Sequence, residues 1–243
     1  MAATSAEQVL AEQTGDKPAR TTMGWTAVTG LLMFLVSLGT MTPEDTPSPG
    51  DATADQIRAF VADNATTIRL NTLTALVCVG LFTFFAVGLA QLVGQARKDS
   101  PVPGVILICG AVATVQTLLL VAASAIFAFP HEVEGLADTD IVNLFTLTAV
   151  TEWFAGLTLA CSCMILVGAF SYAALRSRIV ARWVSWVGLA LAAGGAAKVA
   201  ELAVPSALPD GTFLFVIFGW WLWPLAIGGA LGVRWLRTRP RKA

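Results

Sequence analysis

Apolar side chains fill six stretches of the chain, residues 24–40, 70–93, 104–129, 151–175, 183–204 and 212–233. Each is close to the ~20 residues that carry an α-helix across a bilayer, and charge inside them is confined to Glu152, Lys198 and Glu201. The pattern predicts an all-α fold, a polytopic transmembrane bundle of six helices. The links after spans 2 and 4 are short, so spans 2 and 3, and spans 4 and 5, are expected to be antiparallel neighbours. Residues 1–22 are polar and mixed in charge, without the small-residue cleavage site of a secretory signal, and are expected to form a disordered tail. The transmembrane domain then covers 23–235 with an outer loop at 41–69, and 236–243 form a basic tail.

Two segments admit more than one placement. After the turn-forming run from Thr42 to Gly50, Ile57, Phe60, Val61 and Ile68 recur at near-helical spacing within 54–68. This segment is read as a short helix lying on the outer membrane surface, with an outward extension of span 2 as the alternative. Residues 141–151 run into span 4 and are either an interfacial segment or a tilted extension of that span.

Charge orients the bundle. Lys17 and Arg20, Arg97 and Lys98, Arg176, Arg178 and Arg182, and Arg234, Arg237, Arg239, Arg241 and Lys242 include every positive charge except Arg58, Arg69 and Lys198. All of them fall on one side of a six-span count. The opposite links carry Glu44, Asp45, Asp51, Asp55 and Asp63, then Glu132, Glu134, Asp138 and Asp140, then Asp210. By the positive-inside rule the basic side is cytoplasmic, which puts both termini in the cytoplasm and the protein in the plasma (inner) membrane. The pattern also repeats weakly as three hairpins, with Asp55-Gln56-Ile57 before span 2 and Asp140-Ile141 before span 4 hinting at common ancestry.

Composition agrees. With 56% hydrophobic and 13% charged residues, against ~25% charged in soluble domains, the chain cannot build a water-facing surface over its whole length. Formal charges nearly cancel, at −1, and give no reason to expect a nucleic-acid partner. Cys78, Cys109, Cys161 and Cys163 lie in apolar stretches without metal-ligand spacing, and are expected to be small packing residues. His131 has no second histidine to join it as a ligand. No cofactor is implied.

The run from Ala174 through Arg176-Ser177-Arg178-Ile179-Val180-Ala181-Arg182-Trp183 to Leu189, with the lead-in from Asp138 to Val150, resembles a family of bacterial, often actinobacterial, six-helix integral membrane proteins of unknown function. The resemblance covers spans 4 and 5, implies the same six-helix topology and carries no catalytic motif.

An ionisable group within the hydrocarbon costs at least a few kcal/mol and is a functional-site candidate for that reason. Lys198 lies about 24 Å up span 5 from Arg182 at ~1.5 Å per residue, and Glu201, three residues on, shares its face. Glu152 reaches a similar depth on span 4. The three form either an outer-rim ion pair with Lys198 snorkelling, or a charged group lining a water-filled outer cavity, in which Glu152, Glu201 and Lys198 are the catalytic candidates. Trp220, Trp221 and Trp223, beside Pro224 near mid-span, either pack between helices or line a cavity on a kinked helix. Asn71 and Gln116 join them as candidate ligand-binding residues. Small-residue runs at 190–197 and 228–232 predict that the helices of spans 5 and 6 cross tightly.

The leading functional reading is a non-catalytic membrane protein, a subunit, assembly factor or lipid-binding component, with an outer-leaflet-facing polar pocket. Its partners are a membrane lipid or other lipophilic small molecule and another membrane protein. The alternatives are a membrane-embedded isomerase or cyclase using acid catalysis on an isoprenoid-like substrate, and a small proton-coupled transporter.

Overall fold

The computed structural model describes residues 3–40, 43, 45–200 and 212–238, without the side chains at 3–18, 198, 200 and 212–221. Among these residues the fold is all-helical with no strand. In order it comprises α1 (Ala3–Ser37), α2 (Ala54–Ala96), α3 (Val102–Ala125), a 3-10 turn (Ile126–Ala128), α4 (Pro130–Glu134), α5 (Asp138–Ser177), α6 (Arg182–Ala200) and α7 (Thr212–Arg237). The helix α1 therefore takes in most of the polar segment expected to be disordered, in keeping with good helix formers such as Glu7, Gln8, Leu10, Ala11 and Glu12.

The helices α2 and α5 are much longer than a span. At 43 residues α2 is about 65 Å long at 1.5 Å per residue, twice the ~30 Å of bilayer hydrocarbon. Segment 54–68 is thus continuous with the second apolar stretch in one helix, not a separate helix lying on the surface. No glycine or proline interrupts the chain between Ala54 and Val79, so nothing breaks the helix. Its start is fixed by a capping box: the Gln56 N–H donates to Thr53 Oγ1 (3.4 Å) and the Thr53 N–H to Gln56 Oε1 (2.9 Å). Likewise 141–151 continue span 4 within the 40 residues of α5. That helix stops at Arg178, which takes a left-handed conformation (φ 54°). Arg234 of α7 donates to the exposed carbonyls of Arg178 (2.8 Å) and Ile179 (2.6 Å), tying the α5–α6 turn to α7.

Among the described residues three helices are long and apolar enough to cross a membrane: α2, α3 with its 3-10 extension, and α5. The others pack beside them in a closed ring, α1 against α2 and α7, α3 against α2 and α5, and α6 against α5 and α7.

Two separate cores result. The bundle core gathers Met33, Phe82, Phe85, Leu89, Phe170, Trp223 and Leu231. A smaller cap core, formed where α2 and α5 run on past the bundle, gathers Ile57, Val61, Ile68, Phe127, Val133, Ile141 and Phe145.

Close helix approaches occur in the bundle, but not where the small-residue runs predict them. A Cβ on Gly195 would strike Met164 of α5, and one on Gly228 would meet the Ala27 carbonyl (3.0 Å) and Leu31 nitrogen (3.1 Å) of α1, while Gly229 faces open space. At these glycines the tight crossings are α5 with α6 and α1 with α7. The helices α6 and α7 come close elsewhere, at Gly188, where a Cβ would lie 2.7 Å from Trp223 Nε1.

A candidate cavity between cap and bundle

The cap is pinned by two arginines, Arg58 and Arg69. Arg58 of α2 donates to the Leu136 carbonyl (3.0 Å) and pairs with Asp138 at 2.8 Å and Asp55 at 3.4 Å. The hydrogen bond and charge of Asp138 hold the Arg58 guanidinium above its ordinary value despite slight desolvation, so it is charged at any working pH. Arg69, about three turns further along α2, donates from Nε to the Ala128 carbonyl (2.7 Å), with its guanidinium 5.6 Å from the Phe129 ring centre. Together they fasten the α3–α5 connection along one edge of α2.

Beneath this fastening, α2, α3, α5, Thr40, Pro43 and the loop segment 46–49 line a cavity of about 660 Å³. The loop is drawn over it by Thr146, whose hydroxyl donates to the Pro49 carbonyl (3.2 Å). On its α3 side, Thr148 of α5 donates to the Ala123 carbonyl (3.3 Å). The lining is mainly apolar, with Phe60, Ile68, Phe127 and Phe145 toward the cap, and Asn71 and Glu152 among the polar groups. Ser124, whose hydroxyl donates to the Leu120 carbonyl (2.8 Å), shares this lining with Glu152. A second cavity of about 590 Å³, carrying Asp45, Asp51 and Asp63, shares Pro47 and Phe60 with the first.

Of the residues singled out from the sequence, Glu152 and Asn71 come together on this lining. Gln116 does not line it; its Oε1 accepts from Ser162 (3.2 Å) and links α3 to α5. Trp223 is buried in the bundle core, edge-on to Phe85 (5.9 Å) and Phe170 (5.7 Å). Its Nε1, with Ser171 Oγ and Ser185 Oγ, is buried without a hydrogen-bond partner among the described residues. The side chains of Lys198, Trp220 and Trp221, and all of Glu201, lie outside the described residues. Among described residues no His, Cys, Asp and Glu side chains cluster as a metal site.

No protein-family model, curated protein or solved structure matches this chain.

The chemistry of the cavity is then that of its own walls. Sequence reasoning missed Ser124 and the Phe60–Phe127–Phe145 aromatic group on its lining. For the phenylalanines a signal existed, since Phe60 repeats with Ile57 and Val61 on a helical face. For the cavity itself there was none, because it depends on a loop folding back over two helices.

Proposed function

We propose that this chain is a non-catalytic, six-span protein of the bacterial cell membrane, with both termini in the cytoplasm, whose outer cavity holds a membrane lipid or another lipophilic small molecule. The observation that carries the reading is the cavity of about 660 Å³ between cap and bundle, within the ~300–1,000 Å³ of small-molecule sites and, like them, mostly apolar with a few polar groups. Six spans are supported by the ring in which α1, α6 and α7 pack beside the three longer apolar helices. The orientation rests on the segregation of basic residues, and kinship with the bacterial six-helix family on the 174–189 run.

A second reading, an isomerase or cyclase acting on the same lipophile, is favoured by the position of Glu152 on the lining. It ranks lower because that lining brings no second acid or base to Glu152 among the described residues.

Native mass spectrometry after extraction in mild detergent tests the proposal. A bound lipophile should survive on the wild type and be absent from Ala149→Trp and Ala75→Trp, which plug the cavity from α5 and α2, with melting temperatures checked alongside. A wild type without bound lipophile, or folded plugged variants that retain it, would refute the proposal. Chemical conversion of the bound molecule on incubation would instead establish the enzymatic reading.

A further inference from the structure

We propose that the occupant of the outer cavity is a lipophilic cation, an apolar body bearing an amine, ammonium or phosphonium centre. This rests on the lipophile-binding reading above and adds to it the sign of the ligand's charge.

Among the described residues Glu152 is the sole charged side chain on the cavity lining. Phe60, Phe127 and Phe145 share that lining, and Phe145 meets the other two edge-to-face at 6.3 Å and 5.7 Å between ring centres. Aromatic faces carry negative potential and attract cations more strongly once water is excluded. The adjoining cavity, sharing Pro47 and Phe60, adds Asp45, Asp51 and Asp63 and no basic residue.

The cations of the cap are committed elsewhere. Arg58 is held by Asp138, Asp55 and the Leu136 carbonyl, and Arg69 by the Ala128 carbonyl and the Phe129 ring. Among the described residues, an anionic headgroup entering here would meet carboxylates of its own sign and no counter-charge. A cation would be attracted first by the three aspartates and then held by Glu152 against apolar walls, where a charge pair interacts more strongly than in water. An apolar cavity with one acid and three phenyl rings fits a cationic lipophile and opposes an anionic one.

Two probes of nearly the same shape and opposite charge separate the possibilities. Purified full-length protein in a neutral maltoside detergent is dialysed to equilibrium against tetraphenylphosphonium or tetraphenylborate, with protein-free micelles as the partition control. Saturable binding of the phosphonium, and none of the borate, is expected. Glu152→Gln should weaken the phosphonium by about tenfold, the worth of ~1.4 kcal/mol. Asp63→Asn, at an exposed position, should weaken it less, and more so at low salt. Both variants are compared at matched melting temperature, so Asp63→Asn keeps the test open should Glu152→Gln not fold. Equal binding of the two probes, or preference for the borate, would leave a lipophile pocket standing and overturn the cation assignment. Wild-type affinity in both variants would also overturn it. If neither probe binds and no lipophile copurifies, the pocket reading falls with it.

Discussion

In the bundle, Phe85, Phe170 and Trp223 are packed by helices that approach until glycine is required, as at Gly188, Gly195 and Gly228. In the cap, Ile57, Val61, Ile141 and Phe145 are packed by other side chains and held in place by Arg58 and Arg69. With the bundle in the bilayer and the cap in water, as proposed, the difference follows from the solvent each core meets. In a bilayer, burying an apolar side chain between helices gains little over leaving it in lipid, so shape fit and small residues do the holding. In water, burial itself stabilises, at ~25 cal/mol per Å² of apolar surface, and exposed charges can serve as clasps. One pair of helices, α2 and α5, passes through both regimes without a break.

The sharpest way to separate the two cores is to truncate the cap. Ile57 is fully buried and off the cavity lining, so Ile57→Ala should cost about 2–5 kcal/mol locally. Hydrogen exchange should speed up in 54–68 and 126–145 while amides of 79–93 and 160–174 keep their protection. Equal loss of protection in both regions would mean the cores are one cooperative unit.

Overpacking the bundle comes next. A Cβ at Gly188 would already run into Ser171 Oγ and lie 2.7 Å from Trp223 Nε1, so Gly188→Leu should destabilise the bundle by about 1–3 kcal/mol. Gly229→Leu faces open space and should leave the melting temperature in detergent unchanged. A reversed order of the two variants would contradict the helix pairing described above.

The smallest effect concerns the clasp. Arg58→Ala should loosen the α4 region in hydrogen exchange by less than Ile57→Ala does. Because Arg58 and Asp138 are solvent-exposed in part, added salt should narrow its difference from wild type. An effect of Arg58→Ala on the bundle melting temperature would argue against a cap-only role.

Helix positions were largely legible, since each apolar stretch became a helix wherever it is described. The continuity of α2 and α5 was read only as one of two placements, although the lack of glycine or proline across Ile68-Arg69-Leu70 and through 138–155 allowed it; the polar boundary there does not end a helix. Helix partners were not legible. Gly195 and Gly229 look equivalent in sequence, yet one faces Met164 and the other open space, a distinction set by rotation of each helix within the ring. Glu152 stood out as a costly charge, whereas its surroundings, Ser124, Asn71 and the phenylalanines, come from three elements far apart along the chain.

The proposed topology has the cap meeting water outside the cell while the basic turns meet the cytoplasm. On a background lacking Cys78, Cys109, Cys161 and Cys163, single cysteines at Ser48, Gly135, Ser100 and Ser177 can be probed with a membrane-impermeant maleimide on intact cells. Ser48 in the cavity's covering loop and Gly135 at the end of α4 should label from outside, and Ser100 and Ser177 only after permeabilisation. Labelling of Ser177 on intact cells, with Gly135 protected, would contradict the account.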